Sequence, residues 1–182
     1  MEHEDHVALI RAGVEGAGSR WLELGAGTGE FTLALADVLA ADGDIVALDL
    51  DAGALRQLEG RLARRFPSTR VRTVVGDLRA RLPEGPFDGV LAANSLHFVA
   101  DVAPVLRAIR AALQPHGRLV VVEYDADRGN PWVPHPFSAR RWPVLARDSG
   151  FDEPTLIHRV PSRFLGGIYG AVTTPAQGDP GR

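Results

Sequence analysis

The run Trp21-Leu22-Glu23-Leu24-Gly25-Ala26-Gly27-Thr28-Gly29-Glu30-Phe31 constrains this chain more than any other segment. It reads as a short buried strand that breaks into glycines and restarts as a helix. Only a strand packed inside a sheet, with the next helix laid back on it, accommodates that order. Glycines at such a turn let the backbone approach a ligand closely. A second apolar run, Ile45-Val46-Ala47-Leu48, ends at Asp49, where a carboxylate can accept the two hydroxyls of a ribose. Asp51 is an alternative acid, but it reads as the start of the next helix. Glu23 stands before the glycines, where a pyrophosphate-binding loop has little use for negative charge, and suits a ligand that carries positive charge.

The rest of the chain repeats the pattern. A first helix is expected over Glu2 to Val14, where it would lead into the domain and could cover the ligand. Strands are expected at Arg20–Leu24, Ile45–Leu48, Val71–Val75, Phe87–Ala92 and Leu119–Val122. Between them, Phe31, Leu35, Val38 and Leu39 share a helical face, as do Leu55, Leu58, Leu62 and Phe66. Val102, Val105, Leu106, Ile109 and Leu113 form a third face behind Asp101 as N-cap, with Pro115 and Gly117 as its stop. Alternation of this kind predicts a parallel sheet with helices on both faces. Beyond it, Asn130 to Phe137 is rigid and proline-rich, a short helix with Pro143 awkwardly inside it ends at Gly150, and Thr155–Val160 and Phe164–Val172 form two strands joined by Pro161-Ser162. The residues from Thr174 are expected to fray.

Glu23, Gly25, Gly27 and Gly29 match, position by position, the E-x-G-x-G-x-G turn of the class I S-adenosylmethionine-dependent methyltransferases. The chain resembles that family from about residue 18 to 165. The resemblance implies an α/β, Rossmann-like, seven-stranded, mostly parallel sheet whose last strand is antiparallel. It also implies one methyltransferase domain over 1–182, with an N-terminal helix at 1–17, a cofactor-binding core at 18–127, an acceptor-side loop, helix and closing hairpin at 128–173, and a tail at 174–182. The cofactor would be S-adenosyl-L-methionine, held by Glu23, Gly25, Ala26, Gly27, Gly29 and Phe31 of the first turn. Asp49 would take the ribose and Leu50 would pack on the adenine. Gly76, Asp77 and Leu78 would meet the adenine amine and ring nitrogen, and Asn94 and Ser95 would bring polar groups near the cofactor. His97, in Asn94-Ser95-Leu96-His97-Phe98, is the candidate general base, with a packed loop histidine as the structural alternative. That loop departs from the N-P-P-Y type associated with methylation of nucleobase or glutamine amides. Glu123, Tyr124, Asp125 and Asp127, with Trp132, His135 and Phe137, could frame an acceptor pocket or simply pack the sheet edge.

Composition sets the remaining bounds. The chain of 182 residues has net charge -3 and a pI near 6.1, which gives no overall drive toward nucleic acid. Arginines 61, 64, 65, 70 and 72 could nonetheless form a local patch. Without cysteine there are no disulfides or thiolate sites, and without lysine there is no Schiff-base chemistry. His3 and His6 beside Glu4 and Asp5 lack the spacing of a metalloprotease, and no metal site is expected. No apolar run approaches membrane-spanning length, so a cytoplasmic protein acting on a small-molecule acceptor is the expectation. An open site, an acceptor presented by a partner protein, or closure by a second subunit in a homodimer all stay open. So do a non-catalytic cofactor-binding scaffold, an RNA or protein methyltransferase, and a nicotinamide or flavin oxidoreductase, although the acid before the glycines and Asp77 both speak against the last.

Overall fold

A computed structural model describes residues 1–162 and 164–177. Seven strands, β1 (Arg20–Leu24), β2 (Asp44–Asp49), β3 (Arg70–Val75), β4 (Phe87–Ala93), β5 (Leu113–Tyr124), β6 (Thr155–Pro161) and β7 (Gly167–Thr173), form one sheet. Its order is β3-β2-β1-β4-β5-β7-β6. The first five strands run parallel, and β7 enters antiparallel between β5 and β6. The order reverses beside β1, which opens a crevice at the carboxyl ends of β1 and β4, the place where such sheets bind ligands.

Period-two alternation divides the core cleanly. Leu22, Leu24, Val46, Leu48 and Val90 face α4 (Ala103–Ala112) and α5 (Trp142–Asp148), whereas Trp21, Ile45, Ala47 and Leu91 face α1 (His3–Val14), α2 (Glu30–Leu39) and α3 (Ala52–Arg65). Strands buried on both faces read as the continuous apolar runs seen in the sequence.

Several expectations need correction. Helix α1 does not reach over the ligand crevice. It lies across β5, β7 and β6, where Val7, Leu9, Ile10 and Val14 are buried. Its contact with β7 is so close that a Cβ on Gly170 would lie 1.9 Å from the Leu9 carbonyl oxygen. Strand β5 begins directly after α4 and runs through Pro115 and Gly117. Proline has no ladder N–H, so pairing with β4 jumps from Phe87↔Leu113 to Gly89↔Arg118. Pro143 sits in the first turn of α5, where a missing N–H costs nothing. Strand β7 starts at Gly167, later than the expected Phe164. The chain from Thr174 to Gln177 is tied down rather than frayed. Asp152 N–H donates to the Thr174 carbonyl at 2.9 Å, Ala176 N–H to Gly150, and Arg110 to the Ala176 carbonyl. The remainder of the expected tail, 178–182, lies outside the described residues.

Candidate functional site

The first turn is shaped by its glycines. Gly25, Gly27 and Gly29 have φ of 74°, 52° and 93°, the left-handed region that side chains avoid. At Gly25 a Cβ would also sit 2.5 Å from the Cβ of Ser95. The amides of Gly25 and Ala26 both donate to the Leu48 carbonyl, at 2.8 and 3.0 Å, which fastens the turn to β2. Asp49 completes the fastening: Oδ2 accepts from Gly27 N–H at 2.7 Å and Oδ1 from Asp51 N–H at 2.8 Å. From the other side Arg61 donates to the Thr28 carbonyl at 2.8 Å and pairs with Glu30 at 2.6 Å. Asp51 caps α3 through Gly53 and Ala54 and is therefore occupied as a helix start.

A cleft of about 390 Å³ opens beside this turn. It brings together Gly25, Asp49, Leu50, Gly76, Asp77, Leu78, Asn94 and Ser95 of the expected residues, and adds Leu48, Arg79, Phe98 and Val99. Leu50 and Phe98 are exposed in its walls, at 65% and 60%. Asn94 holds φ 50°, a left-handed conformation that asparagine tolerates better than most residues. Its Oδ1 and the hydroxyl of Ser95 are buried without hydrogen-bond partners. Buried polar atoms of that kind carry a cost that a bound ligand removes. Asp77 is gripped by Arg79 at 2.6 Å, and hydrogen bonds from that side chain hold its carboxyl below the usual range.

Glu23, Ala26, Gly27, Gly29, Phe31 and His97 do not line the cleft. Phe31 packs edge-on against His6 of α1, with ring centroids 4.7 Å apart, in the core of that face. Glu23 is buried at the end of β1 and its Oε2 lacks a partner. Burial pushes its carboxyl up to about 8; the Thr32 hydroxyl offsets part of that rise and the charge of Asp49 adds to it. It lies inside the protein, two residues before Gly25, and off the cleft wall. His3, considered above as a metal ligand, bonds Asp37 at 2.8 Å.

The β4 and β5 tips hold a different arrangement. His97 is buried, and its Nδ1 lies 2.8 and 3.0 Å from the two carboxylate oxygens of Glu123. Glu123 Oε1 also accepts from Tyr124 N–H at 2.7 Å, which fixes the carboxylate. With Nδ1 set between two carboxylate oxygens, Nδ1 carries the ring proton and Nε2 is left as the basic nitrogen. Among the described residues Nε2 makes no hydrogen bond. Sequence reasoning placed both residues on this edge without joining them. The available signal was position, because adjacent parallel strands bring their tips together.

Of the other acceptor-side residues, Asp127, His135 and Phe137 line a second cavity, whereas Tyr124, Asp125 and Trp132 do not. Phe137 is a core residue, packed against Trp142 at 5.5 Å, while Trp132 stands 73% exposed. Asp125 is paired with Arg159, and Asp127 with Arg140. The arginine patch does not assemble. Arg61 braces the glycine turn, Arg65 faces α1 and α2, and Arg72 lines a shallow groove on the opposite face of the sheet.

Comparison with known proteins adds the final observation. A family model described as a methyltransferase domain matches residues 22–119. The ubiquinone/menaquinone biosynthesis C-methyltransferase UbiE of Ectopseudomonas mendocina is 31% identical over 115 residues, covering 63% of this chain and 44% of that protein. The chain thus spans less than half the length of that curated relative. In structure it is similar to Burkholderia thailandensis 1,6-didemethyltoxoflavin-N1-methyltransferase, solved with 1,6-didemethyltoxoflavin and S-adenosylhomocysteine. The TM-score is 0.76 at 24% identity over 96% of this chain and 78% of that one. It is also similar to the O-methyltransferase NcsB1 of neocarzinostatin biosynthesis, solved with S-adenosylmethionine and 2-hydroxy-5-methyl naphthoic acid, with a TM-score of 0.70 at 22% identity over 91% of this chain and 52% of that one.

Proposed function

The chain belongs to the methyltransferase-domain family, and from that premise we propose that it binds S-adenosyl-L-methionine and transfers the methyl group to an oxygen, nitrogen or carbon nucleophile of a small-molecule acceptor. The observation that carries this reading is the cleft, in which a glycine turn, a strand-tip carboxylate and two unpartnered polar side chains, Asn94 and Ser95, converge between apolar walls.

The residues fit such a cofactor. Each oxygen of Asp49 uses one lone pair on the backbone and keeps another for a ribose hydroxyl. Leu50, Leu78, Phe98 and Val99 offer a flat apolar slot for the base. The cofactor supplies a methyl on a sulfonium, which is already a good leaving group. What the protein adds is orientation of the nucleophile, water exclusion and one basic nitrogen. Glu123 holds the His97 ring and its tautomer, and His97 Nε2 takes the proton from the acceptor nucleophile. Asp49 brings a carboxylate to the cleft with no cationic partner among the described residues, which suits a cationic ligand.

No helix of the described residues is long and apolar enough to cross a membrane, and a cytoplasmic setting is the one we propose. Calorimetric titration with S-adenosylmethionine, S-adenosylhomocysteine and NAD tests the cofactor. Micromolar binding of the first two with no heat from NAD is expected. Binding of NAD alone would overturn the reading in favour of an oxidoreductase.

A further inference from the structure

Val99 is a wall shared by two cavities. On one side it lines the cleft just described. On the other it bounds a second cavity of about 320 Å³, enclosed by Val99–Ala103 before α4, by the loop that follows β5, and by Arg141 and Leu145 at α5. That volume accommodates a one- or two-ring molecule. Pro134, Pro136 and the buried side chains of Val102 and Phe137 give it flat apolar surface.

The polar groups of this cavity are unequally engaged. Its two carboxylates already accept from the protein: Asp101 from Ala103 N–H at 3.2 Å, and Asp127 from Ser138 N–H at 3.3 Å and Arg140 at 3.1 Å. By contrast, among the described residues the Arg141 guanidinium and the His135 imidazole make no hydrogen bond, and both line the cavity. A wall with engaged acceptors and unengaged donors is complementary to an acceptor-rich group. A planar guanidinium selects a planar one, a carboxylate bound through two parallel N–H···O bonds. The cavity is also joined to the proposed base. His135 N–H donates to the His97 carbonyl at 2.9 Å, so its loop and the His97 loop hold a fixed relation.

Resting on the methyltransferase reading, we propose that this cavity is the acceptor pocket and that the acceptor is a small, flat molecule bearing a carboxylate. Arg141 holds that carboxylate with His135 beside it, and the nucleophile extends past Val99 toward the cofactor cleft.

The test uses protein saturated with S-adenosylhomocysteine and titrated with hydroxybenzoate and, separately, with the matching hydroxybenzamide. The acid is expected to bind about tenfold more tightly than the amide, the scale of a charge-assisted hydrogen-bond pair. Arg141→Gln should remove that preference and leave S-adenosylhomocysteine affinity unchanged, since the Arg141 side chain lies outside the cofactor cleft. Equal affinity for acid and amide, no binding of either, or a preference that survives Arg141→Gln would overturn the proposal. Failure of S-adenosylhomocysteine to bind in the preceding titration would instead remove the reading on which it rests, so the two failures are told apart.

Discussion

The proposed cofactor end and the proposed acceptor end of the sheet edge are built by different means. At the tips of β1 and β2 the work is done by backbone: three left-handed glycines, two amides on the Leu48 carbonyl, and Gly27 N–H on Asp49. At the tips of β4 and β5 it is done by side chains that find each other across strands, His97 with Glu123 and Asp125 with Arg159. A backbone site tolerates few residues and is rigid before ligand arrives. A side-chain site can be rebuilt one residue at a time, which is how one fold comes to serve many acceptors.

The largest expected effect breaks the acceptor end alone. His97→Ala should lower turnover about a hundredfold or more, the usual contribution of a positioned base, with S-adenosylhomocysteine affinity unchanged. Glu123→Gln should lower it less and shift the pH–rate profile, because the ring loses its anionic partner. Turnover unaffected by either change would make the pair structural. Next comes the cofactor end. Asp49→Ala should weaken cofactor binding by about 1–3 kcal/mol, the scale of hydrogen bonds to a charged group, and leave the fold intact. Unchanged affinity in calorimetry would detach Asp49 from the ribose. A third test sharpens the contrast through pH. Glu23 has its folded pKa raised to about 8 by burial, so the native state binds a proton that the unfolded chain releases above its ordinary carboxylate range. Its contribution to stability is fully present below about 4.5 and is lost as pH rises through about 8. Thermal melts of the ligand-free protein should therefore fall across that window, and Glu23→Gln should flatten the fall; identical slopes for both proteins would refute the assignment.

The same contrast explains what the sequence made legible. Glycine spacing and the acid at Asp49 are visible because a backbone that must turn sharply leaves few choices of residue. The parallel sheet flanked by helices followed from alternating strands and helices, and the antiparallel closing hairpin from the family resemblance, but the strand order came only with the structure. Three things stayed hidden. The His97–Glu123 pair depends on two strand tips being neighbours, which no local pattern encodes. Phe31 looks like a site residue from its neighbours in sequence, but it is a large apolar side chain and the core claims it. The stretch from Thr174 to Ala176 reads as unstructured, yet its backbone is held by Gly150, Asp152 and Arg110, partners far from it in sequence.

The position of α1 carries a consequence for how the chain assembles. Its landing surface on β5, β7 and β6 brings Gly13 against Val120, Ile157 and Val172, and Arg118 closes its end by donating to the Gly13 and Glu15 carbonyls. The first helix of this fold thus rests on its last strands. Until β6 and β7 emerge, Leu9 and Ile10 have only part of their native surroundings, and contacts of such long sequence separation form late. A synthesis intermediate that ends before β6 would expose this apolar helix and be the form most prone to aggregation.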